Sequence, residues 1–329
     1  DAADALRPDW LILDAEHYAD RLADWQDFRA GGGCVLLELT AWREDWATLD
    51  AQQLDGWWVK GHEAGGLVGE ESSFVLLQRV LARTGLPVHV RGGIGPHNAA
   101  ACQVGGAAGV VLDSALLLLT ESPLAETLQP WLRGLDGTET VLLGAEDSGR
   151  FIRVLERPGF APVAALRQRL DTEPAPTMES TCLPFGWWEP RTRDLLPLGQ
   201  DLAFAAPWAL HYRTVAGVLR ALRQALRADP CQAHHDAALA EDAPLARAHG
   251  TRLPIVQGAM TRVSDRAEFA EAVAAAGALP MLALAMLKGE RCRELLEETR
   301  QRLGDRPWGV GLLGFVPAAL REEQLAAIR

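Results

Sequence analysis

Apolar residues in this chain come in short unbroken runs that stop at glycine, a charge or a histidine. Each run is followed by apolar residues at helical spacing. Runs at residues 10–13, 34–39, 56–60, 88–90 and 109–112 read as buried strands. Between them, residues 15–29 set Tyr18, Leu22, Trp25 and Phe28 on one helical face, and 72–83 carry a stripe of Val75, Leu76, Val80 and Leu81. Residues 98–105 form an Ala-rich helix. Strands without polar alternation, each followed by a helix, describe a parallel α/β protein. In such folds the loops at the carboxyl ends of the strands carry the chemistry.

The rhythm breaks after residue 113, and residues 140–143 and 151–155 predict a β-hairpin around Asp147 and Gly149. Residues 157–193 are rich in Pro and turn formers and read as a surface excursion. A helix-rich stretch runs to Arg227, and the Ala-, His- and Asp-rich residues 228–250 read as a linker. Strand and helix then alternate again, with strands at 253–257, 280–285 and 308–315 and helices at 265–277, 290–303 and 317–329. Asp265 with Glu268 three residues on predicts a capping box. Five strand–helix units before the linker and three after it make eight, the count that closes a (βα)8 TIM barrel. The predicted parts are residues 1–130 and 250–329 as barrel halves, 131–195 as an insertion, and 196–249 as a helical segment and linker.

Composition narrows the function classes. With 48% apolar residues, the 329-residue chain can bury a sizeable core. A net charge of −12 argues against nucleic acid or an anionic membrane as partner. No apolar run approaches the ~20 residues of a spanning helix. No secretory leader is signalled, so a cytoplasmic protein is expected. The chain opens on Asp1 rather than Met, which reads as a piece of a longer polypeptide. Cys34, Cys102, Cys182, Cys231 and Cys292 are scattered and read as reduced thiols, and no metal site is expected, His234 and His235 having no cysteine nearby.

Chemistry concentrates in three strand-end loops. Gly92 and Gly93, between a strand and a helix, read either as a plain turn or as a phosphate cradle. Asp113, Ser114 and Ala115 end the next strand, and two adjacent small-residue loops point to a phosphorylated cofactor. His62 and Glu63 stand at a strand end where a general base would sit, the alternative being a histidine that only packs there. His89, alternating with Val88 and Val90, reads as a buried, satisfied histidine, and the pairs Trp57–Trp58 and Trp187–Trp188 read as core.

Three stretches carry a resemblance: Gly61-His62-Glu63-Ala64-Gly65-Gly66, Pro87-Val88-His89-Val90-Arg91-Gly92-Gly93-Ile94, and Gly109-Val110-Val111-Leu112-Asp113-Ser114. They are similar to the latter half of the nitronate monooxygenase (2-nitropropane dioxygenase-like) family, which includes flavin-dependent enoyl reductases. Leu198-Gly199-Gln200 resembles that family's Gly-Gln, 253–260 its first strand and Trp308-Gly309-Val310 its third. The halves thus stand in permuted order, back half first. A window across two tandem barrels of a polyketide-synthase-like polypeptide explains this, as does a true permutation.

The resemblance implies FMN as cofactor, held by Lys60, Gly92, Gly93, Asp113, Ser114, Gln200, Gly258, Ala259 and Met260. It implies a small-molecule or acyl-thioester substrate and neighbouring domains as partners. Two positions depart from the family pattern. Leu67 stands where the family has its catalytic histidine, which leaves His62, at another offset, as the candidate base. Asp113–Ser114 replace a Gly-Thr, which puts a carboxylate where the phosphate would sit. A decayed, scaffolding barrel is therefore the alternative to an active FMN-dependent oxidoreductase.

Overall fold

The computed structural model describes residues 8–145, 149–156, 161–170, 195–227 and 239–329. The chain divides into two units, 1–228 and 229–329.

The first unit opens with strands β1 (Trp10–Asp14), β2 (Cys34–Leu39), β3 (Gly56–Lys60), β4 (Gly66–Val68), β5 (Val88–Arg91) and β6 (Gly109–Val111). All but β4 form one parallel sheet in the order β1-β2-β3-β5-β6. A doubly wound sheet reverses direction at a switch point. This one never does, and right-handed crossovers then send every connecting helix to the same face. Val35, Leu37, Leu39, Trp57, Val59, Val88 and Val90 fill that face. They share one core with Leu76, Leu77 and Val80 of helix Ser73–Leu81 and with Ala99 and Cys102 of helix Pro96–Val104.

The pleat turns the alternate residues to the other face. Register pairs Glu38 with Trp58, Trp58 with His89, and Lys60 with Arg91, so this face is aromatic in its middle and charged at its carboxyl edge. Trp10, on the same face at the opposite edge, is 52% exposed. Its ring meets His89 edge-on at 6.2 Å. The His89 Nδ1 is buried with no hydrogen-bond partner among the described residues, so this histidine packs without being satisfied.

The helix expected over residues 15–29 is broken. It consists of α1 (Ala15–Tyr18), a 3-10 stretch (Ala19–Trp25) with Arg21 off the helical backbone, and α2 (Gln26–Ala30). Within the 3-10 stretch only Leu22 is buried, and so short an apolar stripe does not enforce one continuous helix. Next come α3 (Ser73–Leu81), capped by the Ser72 Oγ accepting from the Val75 N–H at 3.3 Å, and α4 (Pro96–Val104), with proline at its first turn. After α5 (Ala125–Leu132), β7 (Thr140–Ala145) and β8 (Arg150–Leu155) pair antiparallel, as the predicted hairpin requires. Unforeseen is β4, which joins β8 through Leu67 opposite Ile152 and extends the hairpin to three strands. Residues read as irregular include α6 (Ala161–Leu170). The unit ends with a 3-10 turn (Gln200–Phe204), α7 (Ala205–His211) and α8 (Val215–Arg227).

In the second unit, α9 (Pro244–His249) occupies part of the expected linker and closes at Gly250, whose φ of 68° glycine adopts without strain. Strands β9 (Val256–Gln257), β10 (Leu279–Ala283) and β11 (Gly309–Gly311) are parallel and sequential. Helices α10 (Ala267–Ala275), α11 (Gly289–Leu303) and α12 (Ala318–Ile328) follow them in turn. The expected capping box does not form: the residue before α10 is Arg266, without a side-chain cap. Glu268 instead meets Arg302 at 2.8 Å, where it has a charge partner.

Five strands and three are thus present, as the hydrophobic pattern predicts. They form two open arcs, and no ladder among the described residues closes either into a ring.

Candidate functional site

The carboxyl edge of the five-stranded sheet brings four charges together. Arg91, at the end of β5, donates from Nε and Nη2 to the Asp113 Oδ2 at 3.0 and 2.8 Å, and from Nη1 to the Glu38 Oε2 at 3.0 Å. The Lys60 ammonium lies 3.7 Å from the Glu38 Oε1. Two cations and two carboxylates form a neutral chain, Lys60–Glu38–Arg91–Asp113. Lys60 is only 6% exposed. Burial pushes its ammonium pKa down, opposed by the Glu38 charge.

The quartet forms the floor of a cavity of ≈ 430 Å³. Its walls are apolar, with Leu39, Leu67, Val68, Leu117, Ile152 and Leu198. Its lining also includes Asp14, paired with the His17 Nδ1 at 3.2 Å, and Glu16, paired with Arg150. The residues therefore match a ligand site in place and size, but each cation of the floor already has a carboxylate.

Residues 197–201, of which Pro197 and Leu198 line the cavity, are pinned to two strand-end loops. The Gly199 N–H donates to the Ser114 Oγ at 2.9 Å, and the Gln200 N–H to the Glu63 carbonyl at 2.8 Å. Gly65 permits this approach, because a Cβ there would lie 2.0 Å from the Pro197 carbonyl oxygen. Asp201 accepts from the Ala115 N–H at 3.2 Å, is 2% exposed, and its Oδ1 has no partner among the described residues. Burial, and next the charge of Asp113, push its pKa up to about 6.

Of the residues expected to form a site, Lys60, Asp113 and Ser114 line the cavity, and so does Leu67. His62 does not. Its Nδ1 lies 3.2 Å from the Glu70 carbonyl, and its own carbonyl accepts from Arg153 at 2.6 Å. Glu63 takes the N–H of Ser73 on its Oε2 at 2.9 Å and so holds the first turn of α3. Gly92 and Gly93, with φ of 113° and 65°, also lie outside the cavity lining. The φ of 113° at Gly92 is a backbone conformation that L side chains rarely adopt, so the turn itself accounts for the glycine. Gln200 belongs to the pinned loop. Gly258, Ala259 and Met260 belong to the second unit, where the Met260 N–H donates to the Ser264 Oγ at 2.8 Å. Trp187, Trp188, Cys182, Cys231, His234 and His235 lie outside the described residues. No described group of His, Cys, Asp and Glu is arranged to hold a metal.

Comparison with known proteins adds the following. No family model matches the chain, and no curated protein matches it. Solved structures do. FabK from Thermotoga maritima is 18% identical over 65% of this chain and 75% of that one, with a TM-score of 0.49. The nitroalkane oxidase from Streptomyces ansochromogenes is 20% identical over 65% and 62%, with a TM-score of 0.41. The enoyl reductase domain of MlnA from the macrolactin biosynthesis cluster of Bacillus amyloliquefaciens is 12% identical over 66% and 82%, with a TM-score of 0.44.

Sequence reasoning missed Glu38, Arg91 and Asp201. The first two had a signal: Glu38 is the one charge in the run Cys34–Leu39, and Arg91 is the charge that ends Val88–Arg91. A charge on a buried strand of a parallel sheet needs a partner, and in these two strands it has one. Asp201 had no such mark, because its burial depends on the fold of a distant loop.

A phosphorylated flavin can be tested against this floor. A phosphate needs free cations or amides. Arg91 and Lys60 are both paired, and Asp113 holds two of the guanidinium N–H groups that a phosphate oxygen would take. The two cations of the floor, as they stand, are not free to take the phosphate.

Proposed function

We propose that this chain is built from the parts of a flavin-dependent oxidoreductase barrel of the nitronate monooxygenase and enoyl reductase type. In the first unit those parts act as a flavin-free, non-catalytic scaffold within a larger polyketide-synthase-like polypeptide. The observation that carries this reading is the self-neutralised quartet Lys60–Glu38–Arg91–Asp113 on the cavity floor. Leu67 supports it, since the position of the expected base holds an aliphatic side chain packed in β4 against Ile152. His62, turned to the Glu70 carbonyl, does not replace that base.

The sequential parallel order of both sheets supports the barrel origin. An arc of five strands is three short of eight, and an arc of three is five short. Closure of such arcs into eight-stranded barrels, in permuted order or with further strands of a longer chain, is part of the proposal.

A second reading is an active FMN-dependent oxidoreductase acting on a small molecule or an acyl thioester. The placement of an apolar-walled cavity at the carboxyl edge of the strands favours it. The visible absorbance of the purified protein separates the two. The first reading expects no flavin bands, before or after incubation with FMN. A yellow protein would favour the second, and Leu67→His, which places an imidazole in the cavity wall, should then raise nitronate or enoyl turnover.

A further inference from the structure

We propose that Asp113 is a built-in anion that closes a latent oxyanion site. Arg91, with Lys60 beside it, would then bind a phosphate-class oxyanion once the Asp113 charge is removed. This rests on the reading of the first unit as flavin-free, and it names the group that keeps it so.

Asp113 stands immediately before the 3-10 turn Ser114–Leu116, a position where an aspartate ordinarily accepts a backbone N–H of the turn. It makes no such cap. Its carboxylate is turned instead to Arg91, taking the Nε and Nη2 groups on one oxygen. That edge of the guanidinium is the fork that binds phosphate or carboxylate in two-point fashion. The placement is unfavourable for its neighbour, since the Asp113 charge acts on the buried Asp201 carboxyl. A side chain that forgoes its cap and crowds another acid is held by the cation it neutralises.

Both Asp113 and Arg91 line the ≈ 430 Å³ cavity, so the guanidinium edge that Asp113 covers belongs to a space able to admit a ligand. Without the Asp113 charge, the floor holds Lys60 and Arg91 against Glu38 alone and gains one positive charge. Glu38 stays on the other side of the guanidinium, at Nη1, and leaves the Nε and Nη2 side to the incoming anion.

The probe is inorganic phosphate, titrated calorimetrically at low ionic strength into the whole chain as wild type, Asp113→Asn, Asp113→Ser, and Asp113→Asn combined with Arg91→Met. The Asp113 variants should bind phosphate at least about tenfold more tightly than wild type, since removing one adjacent like charge is worth roughly that factor. The gain should shrink with added salt and vanish with Arg91→Met. Equal binding by wild type and variants would overturn the inference, as would a gain that survives Arg91→Met. Loss of the far-UV circular dichroism spectrum in both single variants would also overturn it, by making the carboxylate a structural part. FMN binding by wild type sinks the proposed function. A colourless wild type whose Asp113 variants still refuse phosphate sinks only this inference.

Discussion

Asp201 carries a charge the fold would do better without. Its carboxyl is pushed up to about 6 from a usual value near 3.8, by burial first and by the Asp113 charge second. The folded state thus holds the proton more tightly than the unfolded state. Stability linked to this group is fully present below about pH 4, falls as pH rises through about 6, and is flat above that. Asp201→Asn keeps an oxygen for the Ala115 N–H and removes the titration. It should match wild type near pH 4 and exceed it at pH 8 by about 2–3 kcal/mol, read as a raised Tm in thermal melts across that range. Parallel melting curves would show that Asp201 does not titrate in this way. None of this was legible in the sequence, where Asp201 follows a Gly-Gln and looks like any loop acid. Lys60 and Asp113, at the ends of apolar runs, were legible because the strand pattern fixes which end of each run meets the site.

Elements were predicted best where the apolar run was long and worst where a tertiary partner decided. Cys34–Leu39 and Gly56–Lys60 match their predicted bounds, since a run buried on both faces has one solution in a parallel sheet. Gly66–Val68 was read as loop, because its pairing to β8 depends on a segment over eighty residues away. Of the expected core pair, Trp57 belongs to the core with Trp42 and Trp46, whereas Trp58 is half-buried. Trp57 is fully buried, stacks on Trp46 at 5.9 Å and meets Trp42 edge-on at 5.4 Å. Trp57→Ala should cost about 3–5 kcal/mol, measured by urea unfolding. A loss under about 1 kcal/mol would mean the cluster is not the keystone of this face. Gly65→Ala tests the pinned loop. Its Cβ would overlap the Pro197 carbonyl, so residues 197–201 should release, with faster amide exchange at Gly199 and Gln200. Unchanged exchange there would contradict the pinning.

At the scale of the molecule, the count of five strands and three was readable because each strand announces itself by an apolar run. Whether the strands close into a ring was not, because closure depends on edge pairing that no local pattern encodes. Among the described residues no helix is long and apolar enough to cross a membrane. The cavity lies at the carboxyl edge of the parallel strands, and its cations are already neutralised from within. FMN fluorescence, followed while wild-type protein is titrated in at low ionic strength, tests this most directly. The account predicts no quenching or anisotropy change up to protein concentrations of about 100 μM, a range that detects any site of ordinary cofactor affinity. Saturable binding in the low micromolar range would contradict it.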